Sequence, residues 1–180
     1  MRRAGLFLVA ASLIAGCRGP DRHSALVMDF DKRVSGYVRL HKAMEAKLPE
    51  LRSTTVQAKI AGHRQDLAGA IKEARPSARQ GDIFTPEIGA EFRRMMAVAM
   101  QGTEAARVNE SLRNGSPVAL KLVVNDRYPE DAPLQSMPST LLLNLPKLPP
   151  EVDYRLSGPD LVLRDVKANL VVDILPDAMP

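Results

Sequence analysis

Thirteen apolar or small residues, Ala4 to Gly16, follow Arg2-Arg3 at the start of the chain. A helix of that length reaches about 20 Å at 1.5 Å per residue, short of the roughly 30 Å hydrocarbon core of a bilayer. A basic start, a short apolar run and small residues before Cys17 therefore predict an export signal covering residues 1–16 rather than a membrane span. Beyond it the apolar positions fall at helical spacing. Phe30, Val34, Tyr37, His41, Met44 and Leu48 recur at intervals of three and four, one face of a helix that Pro49 should stop. Ser53, Thr54 or Thr55 can cap a second helix with the stripe Val56, Ile60, His63, Leu67 and Ile71, closed by Pro76. So short a connection predicts an antiparallel helical hairpin.

Thr85-Pro86-Glu87 has the chemistry of a helix start: a hydroxyl acceptor, a proline at the first helical position and an acid in the first turn. The third helix should carry Ile88, Phe92, Met95, Met96 and Ala99, continue through Val108 and Leu112, and end at Asn114-Gly115. There the pattern changes from a period near 3.6 to a period of 2. Val118, Leu120, Leu122 and Val124 predict a half-buried strand. Asp126 to Pro150, with six prolines around Leu141-Leu142-Leu143, reads as an extended segment laid over the core. Val152, Tyr154 and Leu156, then Leu161 and Leu163 after a Gly158-Pro159-Asp160 turn, then Leu170, Val172 and Ile174 predict three further strands. The expected class is α+β: a helical hairpin and a third helix packed on a small, mainly antiparallel C-terminal sheet.

Composition sharpens the same boundary. Ten of the 14 prolines lie at or after Pro117. From Arg18 to Gly115, 17 Lys and Arg face 12 Asp and Glu, a net +5; from Ser116 to Pro180, 6 face 9, a net −3. The pI of 9.4 partly reflects Arg2 and Arg3, which leave with the signal and lower the balance from +4 to +2. The chain thus divides into the signal 1–16, a tether 17–22 and one domain 23–180, helical over 23–115 and built of strands and loops over 116–180.

Candidate chemistry is sparse. Cys17 is the only cysteine, so no disulfide within the chain is possible. His41 and His63 sit eleven residues either side of Arg52 on facing stripes, a weak candidate pair for a shared metal or a pH-sensitive contact, with Glu45 and Asp66 the nearest acids. The simpler expectation is two satisfied histidines packing by their rings, and no metal. His23 should be exposed. Glu130-Asp131 should decorate a loop, Asp165 and Asp173 should end or edge strands, and Ser157-Gly158 and Ser116-Pro117 should be turn residues. Neither a nucleophile elbow nor a zinc-protease helix nor a phosphate-binding glycine loop is present, so no catalytic residue and no cofactor is expected. The bases Arg33, Arg39, Lys42, Lys47, Lys59, Arg64, Lys72, Arg75 and Arg79 are spread around two helices, which suits a solvated face and permits contact with anionic headgroups. Met95, Met96 and Met100 fit core packing or an adaptable groove.

Leu13-Ile14-Ala15-Gly16-Cys17 resembles the lipobox of bacterial lipoproteins. That resemblance implies lipid attachment at Cys17, cleavage before it and a membrane-anchored protein facing the periplasm or the cell exterior. Arg18 in place of aspartate implies the outer membrane if the cell is Gram-negative. Tyr154 to Gly158, Leu161 to Asp165 and Ala168 to Asp173 resemble the endings of uncharacterised exported bacterial proteins, over less than a quarter of the chain, and imply no activity. Export excludes nucleic acid as the natural partner. The expected function is a non-catalytic binding or accessory module for another envelope component; the alternatives are a carrier of a small apolar ligand or lipid, and a hydrolase without a recognisable motif.

Overall fold

The computed structural model describes residues 21–51, 55–101, 106, 110, 120–130 and 137–179. Cys17, Ser116-Pro117, Val118 and Asn114-Gly115 lie outside them. The architecture is α+β, with elements in the order α1 (Arg22–Glu45), α2 (Gln57–Ala74), α3 (Pro86–Ala99), α4 (Ser139–Asn144), β1 (Val152–Ser157), β2 (Asp160–Asp165) and β3 (Leu170–Leu175).

Asp21 caps α1 by accepting the Ser24 N–H at 2.8 Å. The helix buries Phe30, Val34, Tyr37, Val38, His41 and Met44, the expected stripe, but ends at Glu45 instead of running to Pro49. The backbone turns at Ala46, whose N–H reaches the carbonyls of Lys42 and Met44, so Pro49 follows the stop without causing it. Val56, not a serine or threonine, precedes α2, and it offers no side-chain cap; only Leu67, Ala68 and Ile71 of that helix are buried. The start of α3 is as expected: Thr85 Oγ1 accepts from Ile88 N, with Pro86 and Glu87 in the first turn. Its end is earlier than the sequence suggests, at Ala99, and Ala106 and Glu110 are helical beyond it. A Cβ at Gly89 would lie 2.8 Å from Leu175 Cδ1, so the glycine lets α3 approach β3 closely.

The sheet is antiparallel in the order β1-β2-β3. Gly158, at φ 56°, and Pro159 make the two-residue turn between β1 and β2. Leu163 pairs with Asp173 and Arg164 with Val171, so Val172 is the extra residue of a bulge. The bulge turns both Val172 and Asp173 toward the helices. On that face Leu161, Leu163, Leu170, Val172 and Leu175 join the main core with α1, α2 and α3. On the other, Val162, Val171 and Ile174 pack under Val124, Tyr128, Leu120 and Leu122.

Two predicted elements differ. Residues 120–124 form no strand of the sheet; they cover its second face, and only 125–128 bond to β3, through Asn125 N to Val171 O, Val171 N to Asp126 O and Tyr128 N to Asn169 O, each 2.9 Å. Half burial alone gives the alternating pattern, whether or not the segment joins a ladder. Leu141-Leu142-Leu143 is not extended but lies in α4, where Leu141 is buried. The centre of the core is aromatic. Phe30 lies 4.7 Å from Phe92 and 5.7 Å from Phe84, and Tyr154 is 6.2 Å from Phe92, spacings that add about 0.5–1.5 kcal/mol per pair beyond burial.

At the surface end of this core, Glu91 of α3 binds Arg94 and His23, which ties the start of α1 to α3. His23 is exposed as expected, but it is engaged. The Arg94 hydrogen bond, aided by His23, holds the Glu91 carboxyl down to about 2. A depressed folded-state value means stability that is present above the ordinary 4.5 and is lost as pH falls from there through about 2. Glu91→Gln should therefore flatten that part of the acid limb in chemical-denaturation profiles; an unchanged limb would mean that the clasp contributes nothing.

Candidate functional site

Three features gather polar or exposed apolar groups. The first is buried. β2 ends at Asp165, and the turn that follows folds the Lys167 and Ala168 N–H groups onto its Oδ1 at 3.0 and 2.7 Å. Its Oδ2 accepts from Tyr37 Oη at 2.7 Å and lies 2.5 Å from His41 Nδ1. A carboxylate can only accept, so Nδ1 carries the proton. His41 Nε2 lies 3.3 Å from Glu45 Oε2, and Glu45 in turn pairs with Lys167. His41 is 1% exposed and Asp165 0%. Burial first, and the Asp165 charge second, push the Tyr37 hydroxyl far above its ordinary value, so it remains a donor.

This arrangement refines one expectation. Asp165 ends β2 as expected but is fully buried, whereas Asp173 is fully buried within β3 and does not end it. His41 Nδ1 is engaged by Asp165 and its Nε2 faces Glu45, while His63 is a half-buried residue of α2. Among the described residues no group of three or more His, Cys, Asp or Glu could hold a metal ion. Aspartate beside histidine is also the orienting half of a hydrolytic relay, but here the outer nitrogen meets Glu45 in place of a nucleophile. The cluster ties α1 to the β2–β3 turn. A signal for it was present: Tyr37, His41 and Glu45 fall at i, i+4 and i+8 along a buried stripe, which implies an acceptor opposite.

The second feature surrounds Arg75, which does not belong to a solvated face. Its guanidinium lies 5.2 Å from the Tyr37 ring centroid, and Nη2 donates to Val172 O at 3.0 Å. Burial lowers its pKa, and Nη1 has no hydrogen-bond partner among the described residues. With Arg33, Gly36, Tyr37, Leu40 and Ile83 it lines a hollow of about 280 Å³. Several of the other bases are paired: on the helices Arg33 with Asp29, Lys42 with Glu151, Arg64 with Glu130 and Lys72 with Asp126, and beyond α2 Arg79 with Asp82. Met95 and Met96 are core, and Met100 packs against it. Ser157 is buried and accepts the Leu120 N–H at 2.9 Å, so it is more than a turn residue.

The third feature is a groove of about 510 Å³ between β1 and the segment that leads to it. Met137, Leu142, Pro146, Leu148, Val152 and Tyr154 supply its apolar lining, and Lys147, Asp153 and Arg155 its charges. The Tyr154 hydroxyl bonds Pro146 O at 3.1 Å and so holds the segment against β1. Beside the groove Leu142 is 44% exposed and Leu143 86%. Neither His41 nor Asp165 lines this groove or the hollow at Arg75. No helix among the described residues is long and apolar enough to cross a membrane. No family model matches the chain, and neither the curated proteins nor the solved structures contain a match to it.

Proposed function

We propose that this chain is a lipid-anchored protein of the cell envelope that binds another envelope protein through the groove beside β1. The observation that carries the reading is the groove itself: about 510 Å³ of mainly apolar lining, open at the surface and continued by two exposed leucines. Apolar surface of that kind, rimmed by charge, is characteristic of interaction sites. The lipobox-type sequence ending in Cys17 supports the anchor, because acyl chains at a single thiol hold a domain at a membrane without a spanning helix. Export places the partner in the envelope, and the His41–Asp165 pair, sealed in the core and without a nucleophile beside it, supports a non-catalytic role.

The groove volume also favours a second reading, since ligand sites span roughly 300–1,000 Å³. On that reading the protein carries a small apolar ligand. A photo-crosslinking residue at Leu143 in living cells separates the two: a discrete protein adduct, lost on adding Leu142→Glu, is expected for partner binding, and lipid-only adducts for a carrier. The anchor has its own test. Cys17→Ser should end metabolic labelling with fatty acid and move the protein from the membrane to the soluble fraction, and retention at the membrane would refute lipidation.

A further inference from the structure

β1 forms one edge of the sheet. Its pairing with β2 runs Val152 with Asp165 through Ser157 with Asp160, and Val166 N donates to Glu151 O at 2.9 Å. In an antiparallel ladder bonded and unbonded pairs alternate, so 151, 153, 155 and 157 bond to β2. The N–H and C=O groups of 152, 154 and 156 therefore point outward. The Val152 N–H turns back to Pro149 O. Among the described residues nothing pairs with the outward backbone groups of Tyr154 and Leu156. The opposite edge is different, because residues 125–128 are bonded to β3 there.

We propose that β1 pairs edge to edge with β1 of a second copy of this chain, antiparallel, about a two-fold axis at Tyr154. Charge suits a second copy and fixes the register: within one copy Asp153 already accepts from Arg155 Nη2 at 2.7 Å and Arg164 Nη2 at 2.8 Å, and the pairing extends that network across the axis. Asp153 and Arg155 flank Tyr154 on one face of the strand. An axis at 153 would set aspartate against aspartate, and an axis at 155 arginine against arginine. Only an axis at 154 opposes Asp153 of each copy to Arg155 of the other, and like charges directly opposite are destabilising. The same axis suits the backbone. The outward groups of the two Tyr154 residues bond each other, and each Leu156 N–H meets the Val152 carbonyl of the other copy.

The strand is self-complementary, as a two-fold interface requires. Pro149-Pro150 before β1 and Gly158-Pro159 after it limit pairing to this short window, and each copy's edge is consumed once, so the assembly closes as a dimer. Val152 to Arg155 also line the groove, so a second copy paired here competes with any other occupant of the groove for the same edge.

Sedimentation equilibrium of the full chain carrying Cys17→Ser, in detergent, should give a concentration-dependent doubling of mass. Asp153→Arg alone faces Arg155 of its partner, and Arg155→Asp alone faces Asp153, so each variant should be monomeric. Mixed, the two variants restore both opposite-charge contacts and should form a one-to-one heterodimer. A cysteine pair checks the register without altering the charge balance in the same way. Non-hydrogen-bonded residues lie about 4.5 Å apart at Cα, within disulfide range. In the Cys17→Ser chain, Asp153→Cys mixed with Arg155→Cys should cross-link under mild oxidation, and faster than either variant alone. A wild-type chain monomeric throughout, single charge variants that still dimerise, or folded variants whose mixture neither associates nor cross-links would each overturn the proposal.

Discussion

Asp165→Ala should destabilise the fold by about 3–5 kcal/mol, because each buried donor left without its acceptor costs about 1–3 kcal/mol. The deletion strands four donors at once: Tyr37 Oη, His41 Nδ1 and the N–H groups of Lys167 and Ala168. Marginal stabilities of about 5–15 kcal/mol make this a large fraction of the total. At roughly 2–4 °C per kcal/mol for a domain of this size, the melting temperature should fall by about 10 °C. Tyr37→Phe removes one donor and leaves Asp165 its other three, so about 1 kcal/mol is expected. Replacing His41 and Asp165 together by leucine should cost less than Asp165→Ala, because the ring donor is removed with its acceptor and leucine fills the space. Urea titrations of the set decide it. A cost below about 1 kcal/mol for Asp165→Ala would show that the cluster does not hold α1 against the sheet.

That cluster marks the boundary of what the sequence discloses. The start of α3 was legible because all its determinants, Thr85, Pro86 and Glu87, lie within one turn. The β1–β2 hairpin was legible for the same reason, through strict alternation on either side of Gly158-Pro159. Local signals failed where a distant partner decides. Asp165 is the strand-end acid the sequence suggests, but its burial is set by Tyr37 and His41, more than 120 residues away, and Asp173 is held within β3 by loop 81–84. α4 was missed because six residues between prolines are too few to show a helical period. Leu120, Leu122 and Val124 alternate because one side of the segment packs on the sheet, yet it spans the sheet's face and joins no ladder there. The groove joins Met137, Leu142 and Pro146 to β1 across a stretch whose path no periodicity sets. Tyr37, His41 and Glu45, three polar groups on an apolar stripe, were the one distant tie that the sequence did advertise.

Asp173 makes the corresponding tie between β3 and the loop that leads into α3. Its Oδ1 accepts from Gly81 N at 2.8 Å, and its Oδ2 from Ile83 N and Phe84 N, both at 2.7 Å. Gly81 adopts φ 90°, a left-handed turn open to glycine, and so the loop can wrap the carboxylate. Phe84 enters the aromatic cluster from this loop, and Thr85 caps α3 immediately after it. Asp173→Ala should cost about 3 kcal/mol, since a buried N–H left without a partner costs about 1–3 kcal/mol and the freed loop recovers part of that in water. Hydrogen exchange should localise the damage, with protection lost at Ile83 and Phe84 before β1. Burial raises the Asp173 carboxyl above its ordinary 3.8, against the pull of its N–H donors from Phe84, Gly81, Ile83 and Ile174. With the folded-state value raised, this group's contribution is fully present below 3.8 and is lost as pH rises through the folded value. Asp173→Asn cannot titrate, so the stability gap between wild type and this variant should narrow as pH climbs from about 4. A gap that widens instead would mean that the four N–H donors outweigh burial, and that loop 81–84 binds Asp173 as an anion preferred over the acid.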